Sequence, residues 1–196
     1  MSGSIARELQ RKSFHMLSLL YLAAYKLLGW PAVLKPMLVW SAVVVVVETW
    51  RLRSRPLNEK LTAFFGGLAR DEEHDKYSGI IHTTLGVLAL FAGFGGRPAV
   101  VAAAIYSVAF GDAAAALIGK SFGRHKLLPG KSWEGTLSCL AVCAAVCRLT
   151  GFGWGCTAAA ALVATVVEAL PTTRWYNDNF WMPLATGTVL GLCAGF

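Results

Sequence analysis

Residues 111–136, GDAAAALIGKSFGRHKLLPGKSWEGT, gather more chemistry-capable side chains than any other stretch of the chain. Asp112 stands in a run of alanines and apolar residues. A carboxylate in such a run is costly to embed in a membrane and marks a site by default. Its possible roles are metal ligand, general base, or plain partner of a basic residue on a neighbouring helix. Gly119-Lys120-Ser121-Phe122-Gly123-Arg124-His125-Lys126 follows, about two turns and roughly 12 Å further along a helix. It combines small glycines with cations, the ingredients of a phosphate-binding turn, but lacks the spacing of a Walker loop. By itself it is an ordinary basic loop. The segment Gly130-Lys131-Ser132-Trp133-Glu134-Gly135-Thr136 comes directly after it. Lys131 can pair with a phosphate, and Ser132 with the first amides of a helix can cap phosphate oxygens. Glu134 falls in a first helical turn, where a carboxylate caps favourably; as chemistry it is a magnesium ligand or a base.

Three weaker groupings surround this core. Arg11-Lys12-x-x-His15 sits at the mouth of an apolar run. It is either a basic anchor that snorkels to lipid headgroups or a phosphate contact with a proton-relaying His15. Glu168-Ala-Leu-Pro171 and Asp178-Asn179 before Pro183 place oxygen ligands at two helix ends. They suit magnesium, or simply stop one helix and cap the next. The charged run 71–76 precedes Ser78-Gly79; it is either a solvated loop or, from its position on the same face, a source of site residues in Glu72, Lys76 and Ser78.

The elements that must position these residues are apolar helices. The chain has 196 residues, 56% hydrophobic and only 15% charged, where ordinary globular domains are nearer a quarter charged. Apolar runs at about 14–30, 32–50, 79–95, 98–119, 135–149, 154–170 and 181–196 predict an all-α, polytopic transmembrane bundle of about seven spans in one domain, 1–196. The first run has no clear small-residue cleavage site and is expected to stay. Of the 18 lysines and arginines, only Lys26, Lys35, Arg97 and Arg148 fall on the outer side when the N-terminus is placed in the cytoplasm. The net charge of +7 therefore points to the cytoplasmic face of a membrane and not to nucleic acid. Trp30, Trp50, Trp133, Trp154, Trp175 and Trp181 lie near span ends, where indole prefers to sit. All polar clusters then share one face, within reach of a cytoplasmic nucleotide.

Other features are expected to be structural. Cys139, Cys143 and Cys147 share a helical face and act as packing residues, with no disulfide framework. Gly187, Gly191 and Gly195 form a small-residue packing stripe. Residues 57–69 form an amphipathic helix, packed on the bundle or lying in the headgroup layer.

Taken together, these residues resemble the CTP-dependent lipid-alcohol kinases: dolichol kinase, phytol kinase and the yeast-type diacylglycerol kinase. The resemblance runs through Arg11-Lys12-x-x-His15, Lys76-x-Ser78-Gly79, Gly111-Asp112-x-x-Ala115, Gly119 and Gly123, Lys131-Ser132-x-Glu134-Gly135-Thr136, and Glu168-x-x-Pro171 with Asp178-Asn179 and Pro183. The short chain looks like a compact prokaryotic core, implying an inner-membrane protein with its site on the cytoplasmic face. The resemblance implies transfer of the γ-phosphate of CTP to a lipid hydroxyl: a polyprenol or dolichol-like alcohol, phytol, or diacylglycerol. It implies Mg2+ on Asp112 with Asp178, Glu134 or Glu168, and Asp112, Glu134 and His15 as catalytic groups. Nucleotide contacts would come from Arg11, Lys12, Lys76, Gly119, Lys120, Gly123, Arg124, Gly130, Lys131, Ser132, Gly135 and Thr136. The expected partners are CTP, the lipid alcohol and the bilayer, with a homodimer as a candidate assembly. A cytidylyltransferase forming a CDP-lipid is the alternative enzyme, and a small transporter or scaffold the non-enzymatic one.

Overall fold

The computed structural model describes residues 2–65, 76–173 and 176–195. The charged positions 71–75 and Arg174, together with Trp175, lie outside them, as does the second part of the expected 57–69 helix. The architecture is all-α, as composition predicts. Helices α1 (Ser2–His15), α2 (Leu19–Leu28), α3 (Leu34–Arg53), α4 (Arg55–Phe65), α5 (Gly79–Phe94), α6 (Pro98–Tyr106), α7 (Asp112–Phe122), α8 (Trp133–Leu149), α9 (Trp154–Ala169) and α10 (Asp178–Cys193) follow one another along the chain. A small antiparallel hairpin, β1 (Lys126–Leu128) and β2 (Lys131–Ser132), departs from the expected all-helical picture. Gly130, at φ +77°, supplies the left-handed residue its turn requires.

The span forecast holds in part. Among the described residues, the continuous helix from Pro98 to Phe122, 25 residues, is long and apolar enough to cross a membrane by itself. α5 and α9 are shorter apolar helices of 16 residues each. In place of a uniform 14–30 span, α1 already begins at Ser2, and a 3-10 turn at Met16–Ser18 joins it to α2 with helical backbone angles throughout. The fold also turns apolar side chains outward. On α3, Leu38, Val39, Val43, Val46 and Trp50 are exposed, whereas Glu48 and Arg51 are buried. Such an inverted helix suits an apolar surrounding.

Three buried clusters hold the helices together. Leu22, Tyr25, Met37, Leu90, Phe91 and Ile105 join α2, α3, α5 and α6. Ala103, Cys147, Phe152, Ala160 and Leu190 join α6 to α8, α9 and α10. Val108, Cys139, Cys143, Ala161, Ala164 and Met182 pack around the start of α7. The three α8 cysteines are all in these cores, as expected of packing residues. Gly187 and Gly191 let α10 settle on Leu90 and Phe94 of α5; a Cβ on Gly187 would stand 2.6 Å from a Leu90 methyl.

Candidate active site

Asp112 is placed by an interruption in its helix. Residues Ser107–Gly111 form one π-helical turn between α6 and α7. Such turns alter the helical register and recur at functional sites. Gly111 packs against α8, where a Cβ would lie 2.6 Å from Cys143 Sγ. Asp112 begins α7 at 7% exposure. Its Oδ2 accepts a hydrogen bond from Lys12 Nζ on α1, and His15 Nε2 lies 3.6 Å away. Lys12 is 3% exposed, so it reaches inward to the carboxylate and does not snorkel outward.

α1 is fastened to α7 a second time. Glu8, a residue the sequence reading passed over, accepts from both Arg11 and Lys120. Burial pushes the Glu8 carboxyl up, but the two cations outweigh it and hold the group below its ordinary range. Arg11, Lys12, His15, Asp112, Asn177, Asp178 and Asn179 all line one cavity of about 840 Å³. Asp178 is 6% exposed and, among the described residues, makes no ion pair; its Oδ1 accepts the Asn179 amide at 2.9 Å. Asn177 is the residue that caps α10, its side chain accepting from the same amide at 3.0 Å.

Glu168 stands behind this wall at 2% exposure. Lys131 donates to its carboxylate and to its backbone carbonyl, and Glu168 Oε2 makes no hydrogen bond within the protein. Tyr176 senses the same charge: burial first, then Asp178 and Glu168, push its hydroxyl up to about 12. Asp112 of α7 and Asp178 of α10 thus line the cavity with Lys12 of α1, while Glu168 of α9 is held apart from its lining by Lys131 of β2.

Glu134 goes elsewhere. It accepts from the His125 amide at 3.2 Å and from His125 Nδ1 at 2.8 Å, latching the hairpin onto α8. With Ser121, Phe122, Gly123, Arg124 and His125 it borders a separate surface pocket that Asp112 does not share. Ser132 caps α8, its Oγ accepting the Gly135 amide at 3.2 Å. Protein fills the space beside the glycines of the expected phosphate turn. A Cβ on Gly119 would stand 3.1 Å from Ser132 Oγ, and one on Gly135 only 2.6 Å from the Ala115 carbonyl. These glycines bring α7 and α8 together. Thr136 Oγ1 is buried and has no hydrogen-bond partner among the described residues. Lys76 is exposed, and its carbonyl accepts from Arg51.

A second polar centre on the cavity wall was missed from the sequence. Arg51 donates to Glu48 from Nε at 3.1 Å and from Nη2 at 3.0 Å, and to Asn58 Oδ1 at 2.8 Å. Glu48 Oε2 also accepts the Ser78 amide at 2.8 Å. Glu48, Arg51 and Asn58 are all buried. The signal was present: Glu48 follows Val43–Val47 directly, and the rule that singles out Asp112 in an apolar run applies equally to it.

The cavity changes polarity along its length. On α3, Pro36, Met37, Trp40, Val43, Val44 and Val47 line it first, then Glu48 and Arg51. On the opposite wall Leu28, Ala24, Leu20 and Leu17 give way to His15, Lys12 and Arg11. From Pro36 to Val47 the helical rise makes the apolar arm about 17 Å long. One leaflet of a bilayer contributes roughly 15 Å of hydrocarbon.

Comparison with known proteins gives a partial match. The chain is 33% identical over 103 residues to a phytol kinase of Synechocystis sp. (strain ATCC 27184 / PCC 6803 / Kazusa). The match covers 48% of this chain and 44% of that protein, so the chain spans less than half the length of the relative it matches. No family model matches the chain, and no solved structure does. The partial match supports a kinase-like relationship.

Proposed function

We propose that the chain is an integral-membrane kinase that transfers the γ-phosphate of CTP to the hydroxyl of a lipid alcohol. The observation that carries this is the cavity: an apolar arm one leaflet long ends at a buried cluster of carboxylates and amines. An occupant that satisfies both ends has a long hydrocarbon tail and a small polar head. The likeness to a phytol kinase supports an isoprenoid alcohol as acceptor and phosphoryl transfer as the reaction. CTP as donor, with the N-terminus and the site on the cytoplasmic side of a prokaryotic inner membrane, belongs to the same proposal.

In this reading the chain works mainly by positioning and by charge stabilisation, as phosphoryl transfer generally requires. Lys12 and Lys131 neutralise phosphate oxygens, with Arg11 and Lys120 beside them. Their carboxylate partners hold these ammonium groups in place before the nucleotide arrives. His15 and Asp112 face the acceptor end, where they orient the hydroxyl and take its proton. Among the described residues no three His, Cys, Asp or Glu side chains stand close enough together to hold a metal by themselves. Magnesium does not need that, since it is usually held by one or two carboxylates and the substrate's own phosphates. Asp112 and Asp178, hard oxygen donors on one cavity wall, fit that role, and the ion would offset phosphate charge. Glu134, latched to His125 at the separate pocket, then serves the hairpin and not the reacting atoms.

The test is direct. Purified protein receives prenols, phytol and diacylglycerol with CTP labelled in the γ-phosphate or in the α-phosphate. Label entering lipid from the γ position alone is the expected result. Label from the α position alone would replace the kinase with a CDP-lipid-forming cytidylyltransferase.

A further inference from the structure

Most buried polar atoms in a folded protein find a partner, because an unmade hydrogen bond away from water is costly. Among the described residues, seven buried side-chain atoms make no hydrogen bond within the protein. Three of them, His15 Nε2, Ser18 Oγ and Ser78 Oγ, belong to residues lining the same cavity. The residues of the other four, Ser107, Thr136, Glu168 and Thr186, do not line it. Ser18 is 4% exposed and sits in the tight turn between α1 and α2, where that wall passes from His15 to Leu17 and Leu20. Ser78 precedes α5, and its amide is held by Glu48, where α3 passes from Val47 to its charged end. Along the chain, both serines thus fall where the lining passes from apolar to charged residues.

We infer that Ser18 and Ser78 form a hydroxyl-binding subsite at this boundary, which admits a single-hydroxyl, long-chain alcohol and holds its oxygen beside the charged end. The inference rests on the lipid-alcohol reading of the cavity and adds the residues that recognise the head. A hydroxyl carries one donor and two acceptor positions, and each serine can complement either. Glu48 and Arg51 are positioning residues. Arg51 grips the Glu48 carboxylate from two nitrogens, and Glu48 in turn fixes the backbone of Ser78. A site built to bond a hydroxyl rejects the analogue that lacks one, because its own polar groups are then left unpaired.

The experiment measures binding without nucleotide. The protein in lipid nanodiscs is loaded with a tritiated C20 prenol, which unlabelled prenol or the matching C20 hydrocarbon then competes away. The prenol is expected to compete at least about tenfold better than the hydrocarbon. Ser18→Ala and Ser78→Ala should each weaken prenol binding about fivefold and leave hydrocarbon binding unchanged. The double variant should lose the discrimination while keeping the wild-type circular dichroism and melting temperature. Glu48→Gln should lower the same ratio. A wild-type protein that does not discriminate, or a double variant that still does, overturns the subsite. Discrimination that vanishes in the double variant, in a protein that never transfers phosphate, would sink the kinase and leave the alcohol subsite standing.

Discussion

Lys12 of α1 and Asp112 of α7, 100 positions apart in the chain, form a buried ion pair in the wall of the polar chamber. A buried pair is weak support for stability but expensive to break on one side only. Asp112→Asn should therefore act twice. Turnover should fall by about 10²–10⁴-fold with loss of the base or metal donor. Stability should fall by about 3–5 kcal/mol, because Lys12 is left charged and uncompensated. Adding Lys12→Met should recover most of the thermal stability and none of the activity. Thermal melts of the two variants, run beside the lipid-labelling assay, separate the effects.

The pair between Lys131 and Glu168 is also lopsided, with the carboxylate at 2% side-chain exposure and the ammonium at 24%. Lys131→Met should destabilise the bundle by about 3 kcal/mol and raise the KM for nucleotide. Lys131→Met with Glu168→Gln should regain stability while nucleotide binding stays weak. Recovery of both would mean that Lys131 serves only Glu168.

The latch between His125 and Glu134 should respond to acid. Hydrogen bonding from its own backbone amide, then from the His125 side chain, holds the Glu134 carboxyl at about 2, below its ordinary 4.5. A depressed carboxylate stabilises the fold above its unfolded pKa, and the contribution is lost as pH falls through the folded value. The hairpin should thus stay protected at pH 5 and open progressively between about 4.5 and 2. Hydrogen exchange at the His125 amide reads this directly. Glu134→Gln should remove the pH dependence and change turnover only a few-fold.

Close packing at the α7–α8 crossing predicts a sharp contrast between two glycines. Gly135→Ala would place a Cβ 2.6 Å from the Ala115 carbonyl, and should cost about 1–3 kcal/mol through displacement of the helices. Gly155→Ala, in α9 with nothing within 4 Å, should be neutral or should stabilise by about 0.5–1 kcal/mol. Melting temperatures of the two variants are the measurement.

Much of the site was legible where residue type alone carries a cost. Asp112 in an alanine run, Gly187 and Gly191 on one helical face and the cation-rich loops follow from transfer energies and helical period, and these act locally. The place of Glu134 in the first turn of α8 and the packing role of the cysteines followed from the same local rules. The Glu48–Arg51–Asn58 knot was less legible because its ends come from two helices and a carbonyl beyond them. An acid and a base three positions apart look like an ordinary helix pair until burial is known.

The chain's own sequence determined the all-helical class, the apolar lengths and which residue types could handle phosphate. Only the tertiary structure decided which of those residues meet. It drew Lys12, His15, Asp112 and Asp178 onto one cavity and sent Glu134 to another. It also filled the spaces beside Gly119 and Gly135 with protein, so that glycines suited to a phosphate turn became a helix crossing. Helical period and hydropathy are set by neighbours a few residues apart. The partner of a buried charge is set by which helix end lies within about 3 Å of it, and that depends on the packing of the whole bundle.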